Sequence, residues 1–68
     1  MNKALLEYKM KERGKSISDM CLMLGISRSA FYRKCKGTSE FTQSEIQKIV
    51  DFLNLDSPVE IFFTPQVS

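Results

Sequence analysis

Residues 16–37 read SISDMCLMLGISRSAFYRKCKG, and this stretch decides the fold. Ser16, with an acid three residues later, has the pattern of a helix start, and Gly25 is a typical helix stop. Ser27 can cap a second helix, and Gly37 can end it. The stretch therefore predicts two short helices that are joined by a tight turn.

The second of these helices, Arg28–Lys36, has two different faces. Phe31 and Cys35 are four residues apart and share an apolar face. Polar and basic side chains occupy another face: Arg28, Ser29, Tyr32 and Arg33. Gly25 can adopt the left-handed backbone conformation that reverses the chain between the helices. Two helices in this arrangement are typical of a helix-turn-helix, whose second helix enters the major groove of DNA.

Helix signals continue on both sides of this pair. An amphipathic segment spans Asn2–Arg13, and Gly14 can end it. Thr42, with Glu45 three residues later, is a capping box that begins a fourth helix. The apolar residues of that helix follow at i, i+3, i+4 and i+7: Ile46, Ile49, Val50 and Leu53.

The end of the chain predicts a short fifth helix. Ser57 and Pro58 form its start signal and Pro65 ends it, although residues 59–63 can also be extended. A length of 68 residues fits one domain with a small core and no deep substrate pocket. We therefore expect an all-α, compact five-helix bundle over residues 1–64 and a loose tail at residues 65–68.

Charge is distributed unevenly along the chain. Residues 1–37 contain nine Lys and Arg against three acidic residues, a net charge of +6, whereas residues 38–68 have a net charge of −4. A basic first half suggests a polyanionic partner. Two solvated faces of opposite sign are the alternative interpretation.

The composition argues against several classes of protein. The two cysteines, Cys21 and Cys35, lie in apolar stretches and fit small buried residues of a reducing compartment, with a disulfide between them as the alternative. The sequence has no histidine, and its charged N-terminal stretch and short apolar runs predict neither a signal peptide nor a membrane-spanning segment. We expect a cytoplasmic protein without a metal, a cofactor or a small-molecule ligand.

The helix-turn-helix predicts which residues meet DNA. Arginine can bond guanine O6 and N7 together, and a helix start attracts phosphate through its free N–H groups. The predicted base-contacting residues are Ser27, Arg28, Ser29, Tyr32 and Arg33. The predicted phosphate-contacting residues are Lys15, Ser16, Ile17, Lys34, Lys36 and Thr38.

The apolar cluster Ile61, Phe62 and Phe63 has two interpretations. It can close the core over the fourth helix, or part of it can be exposed and form a two-fold contact between two copies. Such a homodimer would place two recognition helices about one turn of DNA apart.

Residues 16–55 resemble the Cro/repressor-type (Xre-type) helix-turn-helix family, and look most like its short phage-borne members. Residues 25–29, Gly-Ile-Ser-Arg-Ser, are similar to the family's Gly-Val/Ile-Ser-x-Ser turn, and Gly37 matches the glycine after its recognition helix. Met20 and Cys21 stand where the family favours Leu-Ala. The resemblance covers roughly residues 4–63. It implies a five-helix fold of the phage-repressor type and major-groove binding, often as dimers on a palindromic operator.

One departure from the family concerns the contact between the first and third helices. Many members pair an arginine in the first helix with a glutamate late in the third. The corresponding residues here look like Met10 and Cys35. We therefore expect apolar packing in place of the ion pair.

Three classes of function follow, in order of support. The first is a transcriptional regulator, most simply a repressor that occupies a promoter operator on double-stranded DNA. The second is a helix-turn-helix used to bind another protein, such as an antirepressor or a host factor. An enzyme is the third, and the sequence offers it no histidine, no paired-carboxylate pattern and no phosphate-binding glycine loop.

Overall fold

The computed structural model describes residues 1–63 and contains five α-helices in that range. They are α1 Lys3–Glu12, α2 Ile17–Leu24, α3 Arg28–Lys36, α4 Gln43–Leu53 and α5 Val59–Phe62. The described residues contain no strand, which confirms the all-α, five-helix prediction and the helical interpretation of residues 59–62. None of these helices is long and apolar enough to cross a membrane. The predicted domain limit at Thr64 and the predicted tail at residues 65–68 lie outside the described residues.

Side-chain caps fix the starts of α2 and α4 as the sequence predicts. The Ser16 hydroxyl accepts the Asp19 N–H over 3.1 Å, and the Asp19 carboxylate accepts the Ser16 N–H over 2.8 Å. Thr42 and Glu45 make the same reciprocal pair at the start of α4, over 3.1 and 2.8 Å. These bonds satisfy N–H groups that a helix start otherwise leaves without partners.

One apolar core lies between the helices and includes residues from all five. Its buried members are Leu6, Met10, Met20, Cys21, Leu24, Phe31, Cys35, Ile49, Leu53, Leu55 and Ile61. The predicted stripe of α4 contributes Ile49 and Leu53 to this core. The predicted inward face of α3 contributes Phe31 and Cys35. Because α3 is packed through this face, its opposite face is turned to solvent.

The cysteines belong to the core and have no redox or metal partner among the described residues. Both are free thiols, so the alternative of a disulfide between Cys21 and Cys35 is not realised. Burial raises the pKa of the Cys35 thiol to about 11, so the thiol stays protonated and unreactive at neutral pH. Met10 and Cys35 are both buried, as expected for apolar packing between α1 and α3.

Two polar contacts tie α1 to distant parts of the chain. The Asn2 N–H donates to the Ile61 carbonyl over 2.7 Å and so fixes α5 against the start of α1. Arg13, directly after α1, donates from Nε to the Leu53 carbonyl over 2.9 Å. That carbonyl lies at the end of α4, where the last carbonyl groups of a helix have no N–H partner within the helix.

A largely buried ion pair joins α3 to α4. Lys34 Nζ lies 3.0 Å from Glu45 Oε1, and the two side chains are only 16% and 15% exposed. Partial burial raises the pKa of Glu45, but the hydrogen bond from the Thr42 N–H and the Lys34 ammonium together outweigh burial. The pKa of Glu45 therefore lies below its ordinary value.

We expect Glu45→Gln to reduce the loss of stability in acid. A carboxyl group whose pKa is lower in the folded than in the unfolded chain stabilises the fold above its unfolded pKa. This contribution disappears as the pH falls from the ordinary glutamate value of 4.5 through the lower folded value. The glutamine can still cap α4, so the variant loses mainly the titration and the ion pair.

Urea unfolding at a series of pH values from about 7 to 3 measures this effect. The free energy of unfolding should fall less steeply in acid for Glu45→Gln than for the wild type. Asp56→Asn, at an exposed carboxylate, is the matched control and should keep the wild-type slope. Equal slopes for Glu45→Gln and the wild type would contradict the assignment.

Candidate nucleic-acid interface

The turn between α2 and α3 has the geometry that the sequence predicts. Gly25 has φ +69° and ψ +35°, in the left-handed region that glycine adopts at little cost. Its N–H and the N–H of Ile26 both donate to the Cys21 carbonyl, which closes the end of α2. Ser27 follows at once as the cap of α3, with its side chain accepting a backbone N–H. Two helices joined within three residues form a helix-turn-helix.

The outward face of α3 is polar and positively charged. Its exposed residues, with the capping serine, are Ser27, Arg28, Ser29, Tyr32 and Arg33. These are the five predicted base-contacting residues, and all five are exposed. The Tyr32 ring packs edge-on against buried Phe31, with 6.4 Å between the ring centroids, and remains 41% exposed. The helix contains no acidic residue, so the surface attracts anions.

Arg28, at the start of α3, has a partner that sequence reasoning missed. One terminal nitrogen of its guanidinium, Nη2, donates to the Ser18 hydroxyl on α2. The bond crosses the turn and restricts the long arginine side chain before any ligand is present. Because a guanidinium has five N–H donors, this contact leaves others available for a base.

The start of α2 differs from the predicted phosphate site. The Ser16 N–H is already bonded to the Asp19 carboxylate, and the Ser16 hydroxyl lies 3.0 Å from the same oxygen. These hydrogen bonds from Ser16 hold the pKa of Asp19 below its ordinary value. The Ser16 N–H is therefore already bonded to an anion, the Asp19 carboxylate. The contact of Ser16 with phosphate stays a prediction, and in this structure its N–H serves the cap of α2. Ile17 is half-buried against the core, which leaves its backbone as the part that faces outward.

Lys34 differs from the other basic residues of α3 in its surroundings. It was predicted to contact phosphate, but its ammonium is turned toward α4, where it pairs with Glu45 and donates to the Glu40 carbonyl over 3.2 Å. A neighbouring carboxylate cancels its charge, and burial separates it from the outward face of α3. Sequence reasoning missed this contact because Lys34 and Glu45 belong to different helices.

The remaining predicted phosphate contacts lie around the edge of the outward face. Lys36 and Thr38 are exposed at the end of α3, and the Thr38 N–H is engaged by the Arg33 carbonyl over 3.0 Å. Lys15 Nζ lies 4.7 Å from the centre of the Phe52 ring, a cation–π contact that holds the ammonium beside the start of α2.

The apolar end of the chain is divided between core and surface. Ile61 is 1% exposed and belongs to the core of its own chain, which is the first of the two interpretations of this cluster. Phe62 is half-buried and stacks edge-on with Phe41 over 5.8 Å, while Phe63 is 60% exposed. Val59, which the sequence did not single out, is equally exposed beside it.

Comparison with known proteins agrees with this geometry. The family model for the Cro/C1-type HTH DNA-binding domain matches residues 6–65. A segment of 52 residues, 76% of the chain, is 36% identical to proteins from Saccharolobus islandicus and Saccharolobus solfataricus, each named "Putative HTH-type transcriptional regulatory protein". The match covers 17% of the length of those relatives. No solved structure matches the chain significantly. The chain belongs to the family of Cro/C1-type helix-turn-helix DNA-binding domains.

Proposed function

We propose that this chain is the DNA-binding unit of a transcriptional regulator, which represses by occupying a promoter operator. The observation that carries the proposal is the exposed, basic face of α3, held outward by the turn at Gly25 and the buried Phe31. Occupying an operator requires no effector pocket and no catalytic group. The names of the relatives support transcriptional regulation, although those proteins are much longer than this chain.

Within this proposal, α3 enters the major groove with its N-terminus first. Arg28 bonds guanine O6 and N7, because its guanidinium is the planar fork that fits both acceptors. Ser27 and Ser29 contact neighbouring base edges. The hydroxyl and ring of Tyr32 contact a phosphate or a thymine methyl, and Arg33 reaches a base or the backbone.

Contacts to phosphate then come from the edge of the same surface. Lys15 and Lys36 supply charge, and the Thr38 hydroxyl and the Ile17 backbone supply hydrogen-bond donors. These groups fix the position of the protein on the duplex and carry little sequence information. Their charge makes affinity fall steeply with added salt.

A second candidate function is protein binding through the helix-turn-helix. Leu22 on α2 favours it, since this large apolar side chain is 85% exposed beside the turn. The two functions differ in their response to salt. Binding through several phosphates weakens steeply as salt rises, whereas a contact centred on Leu22 does not.

Selection of bound duplexes from a random DNA pool, followed by titration of the selected duplex, tests the proposal. We expect Arg28→Ala to cost about 1–3 kcal/mol of binding free energy on the selected duplex and much less on random DNA. Lys36→Ala is the matched control at the other end of α3 and should weaken binding to both duplexes alike. Thermal unfolding checks that each variant is folded. Unchanged affinity of Arg28→Ala for the selected duplex would contradict this docking of α3.

We also propose that two copies bind one operator through the exposed apolar surface of Val59 and Phe63. Sedimentation of the protein with the selected duplex should give two chains per duplex. The selected sequence should contain two half-sites about 34–36 Å apart. Phe63→Ser should shift the complex toward one chain per duplex, while Leu22→Ser, at an exposed apolar residue elsewhere, should not. A strict monomer at high concentration and on DNA would refute the dimer.

A further inference from the structure

We infer that Lys34 and Glu45 act as a positioning pair, which sets the DNA specificity of α3 without touching DNA. The inference rests on the proposed function. It assigns to Lys34 a role different from that of the other basic residues of α3. Those residues are exposed on α3, whereas Lys34 is directed into the fold.

The geometry around Lys34 joins three parts of the chain at one ammonium group. Lys34 Nζ lies 3.0 Å from Glu45 Oε1 on α4 and donates to the Glu40 carbonyl in the connecting loop over 3.2 Å. It also lies 5.8 Å from the centre of the Phe41 ring. Residues 37–42 form the loop that connects α3 to α4. Lys34 on α3 therefore holds this loop near the end at which it meets α4.

Glu45 is itself held in place by its role as a cap. The oxygen that pairs with Lys34 also accepts the Thr42 N–H over 2.8 Å, so the carboxylate has little freedom to move. The Lys34 ammonium thus binds a fixed point on α4. A charge-assisted bond to a fixed partner constrains direction as well as distance.

This pair matters because of where α3 is otherwise attached. The first half of α3 is secured to α2 by the tight turn and by the Arg28–Ser18 bond. α3 packs more closely on α2 than on α4. In the second half of α3, Cys35 lies in the core and the Lys34–Glu45 pair is the charged contact with α4. Phe31 meets Phe41, in the loop before α4, edge-on over 6.0 Å. Loss of the pair would let the end of α3 and Thr38 shift relative to the fold.

The same geometry indicates that Lys34 does not contact phosphate. Its side chain is 16% exposed, and the adjacent carboxylate neutralises it. A lysine that neutralises phosphate contributes about 0.9 to the slope of log affinity against log salt. Lys34 should contribute nothing to this slope, while Lys36 should contribute its full share.

The test compares Lys34→Met with Lys36→Met on the selected duplex and on a random-sequence duplex, over a series of salt concentrations. For Lys34→Met we expect an unchanged salt slope and a ratio of selected to random affinity that falls about tenfold. For Lys36→Met we expect the slope to fall by about 0.9 with little change in the ratio. Methionine preserves most of the aliphatic stem in both variants.

Glu45→Gln and the double variant Lys34→Met/Glu45→Gln complete the comparison. Glutamine retains the cap of α4. The double variant leaves no unpaired charge, and it therefore still tests the inference if Lys34→Met fails to fold. The double variant should lower the affinity ratio about as much as Lys34→Met, because both remove the contact of Lys34 with Glu45. Glu45→Gln should lower the ratio in the same direction but by less, because it removes only the charge of the partner.

Two results would overturn the inference while leaving the proposed function intact. One is a lower salt slope for Lys34→Met with equal weakening on both duplexes, which would make Lys34 a phosphate contact. The other is an unchanged affinity ratio in folded Lys34→Met, Glu45→Gln and double variants. Failure of the wild type to discriminate between the two duplexes would instead refute the proposed function.

Discussion

The left-handed backbone at Gly25 sets the relation between the two helices on which the interface depends. With φ +69° and ψ +35°, this residue ends α2 and turns the chain so that Ser27 can cap α3 immediately. A residue with a side chain adopts this conformation only at a cost of about 1–2 kcal/mol. The direction of α3, and therefore of every side chain on it, follows from this corner.

The turn at Gly25 fixes where α3 starts, and the buried contacts of α3 fix its rotation about the helix axis. Phe31 lies in the core and begins a series of edge-on aromatic contacts that continues through Phe41 to Phe62. Cys35, one helical turn after Phe31, is buried as well. Since these two residues point inward, Tyr32 and Arg33 lie on the outward side of the helix. Arg28 lies seven residues before Cys35, on nearly the same side, and is exposed at the first residue of α3, where it bonds Ser18 on α2. The core thus determines which side chains are available for DNA.

Local chemistry explains which features could be predicted from the sequence. The capping boxes, the glycine stops and the apolar spacing of α4 all act within a few residues, so their patterns were sufficient to place the helices. The turn at Gly25 and the inward face of α3 are also set by residues that lie close together in the sequence. The predicted base-contacting residues are exposed, and their contacts with DNA remain a prediction.

Features that join separate elements could not be predicted in this way. The partner of Lys34 is on α4 and the partner of Arg28 is on α2, and no spacing rule connects such residues. The sequence left open whether Ile61 is part of the core or of an interface, because its burial depends on how α5 meets α1. Lys34 and Glu45 form a charged pair between α3 and α4, whereas Met10 on α1 and Cys35 on α3 are both buried apolar residues.

Methylation interference on the selected duplex tests the central claim, major-groove docking of α3, most directly. Dimethyl sulfate methylates guanine at N7, which faces the major groove, and adenine at N3, which faces the minor groove. Methylation of N7 on the guanine that Arg28 contacts should prevent binding, and Arg28→Ala should abolish this effect at that guanine. Interference confined to adenine N3, with guanine N7 methylation tolerated throughout, would contradict the account.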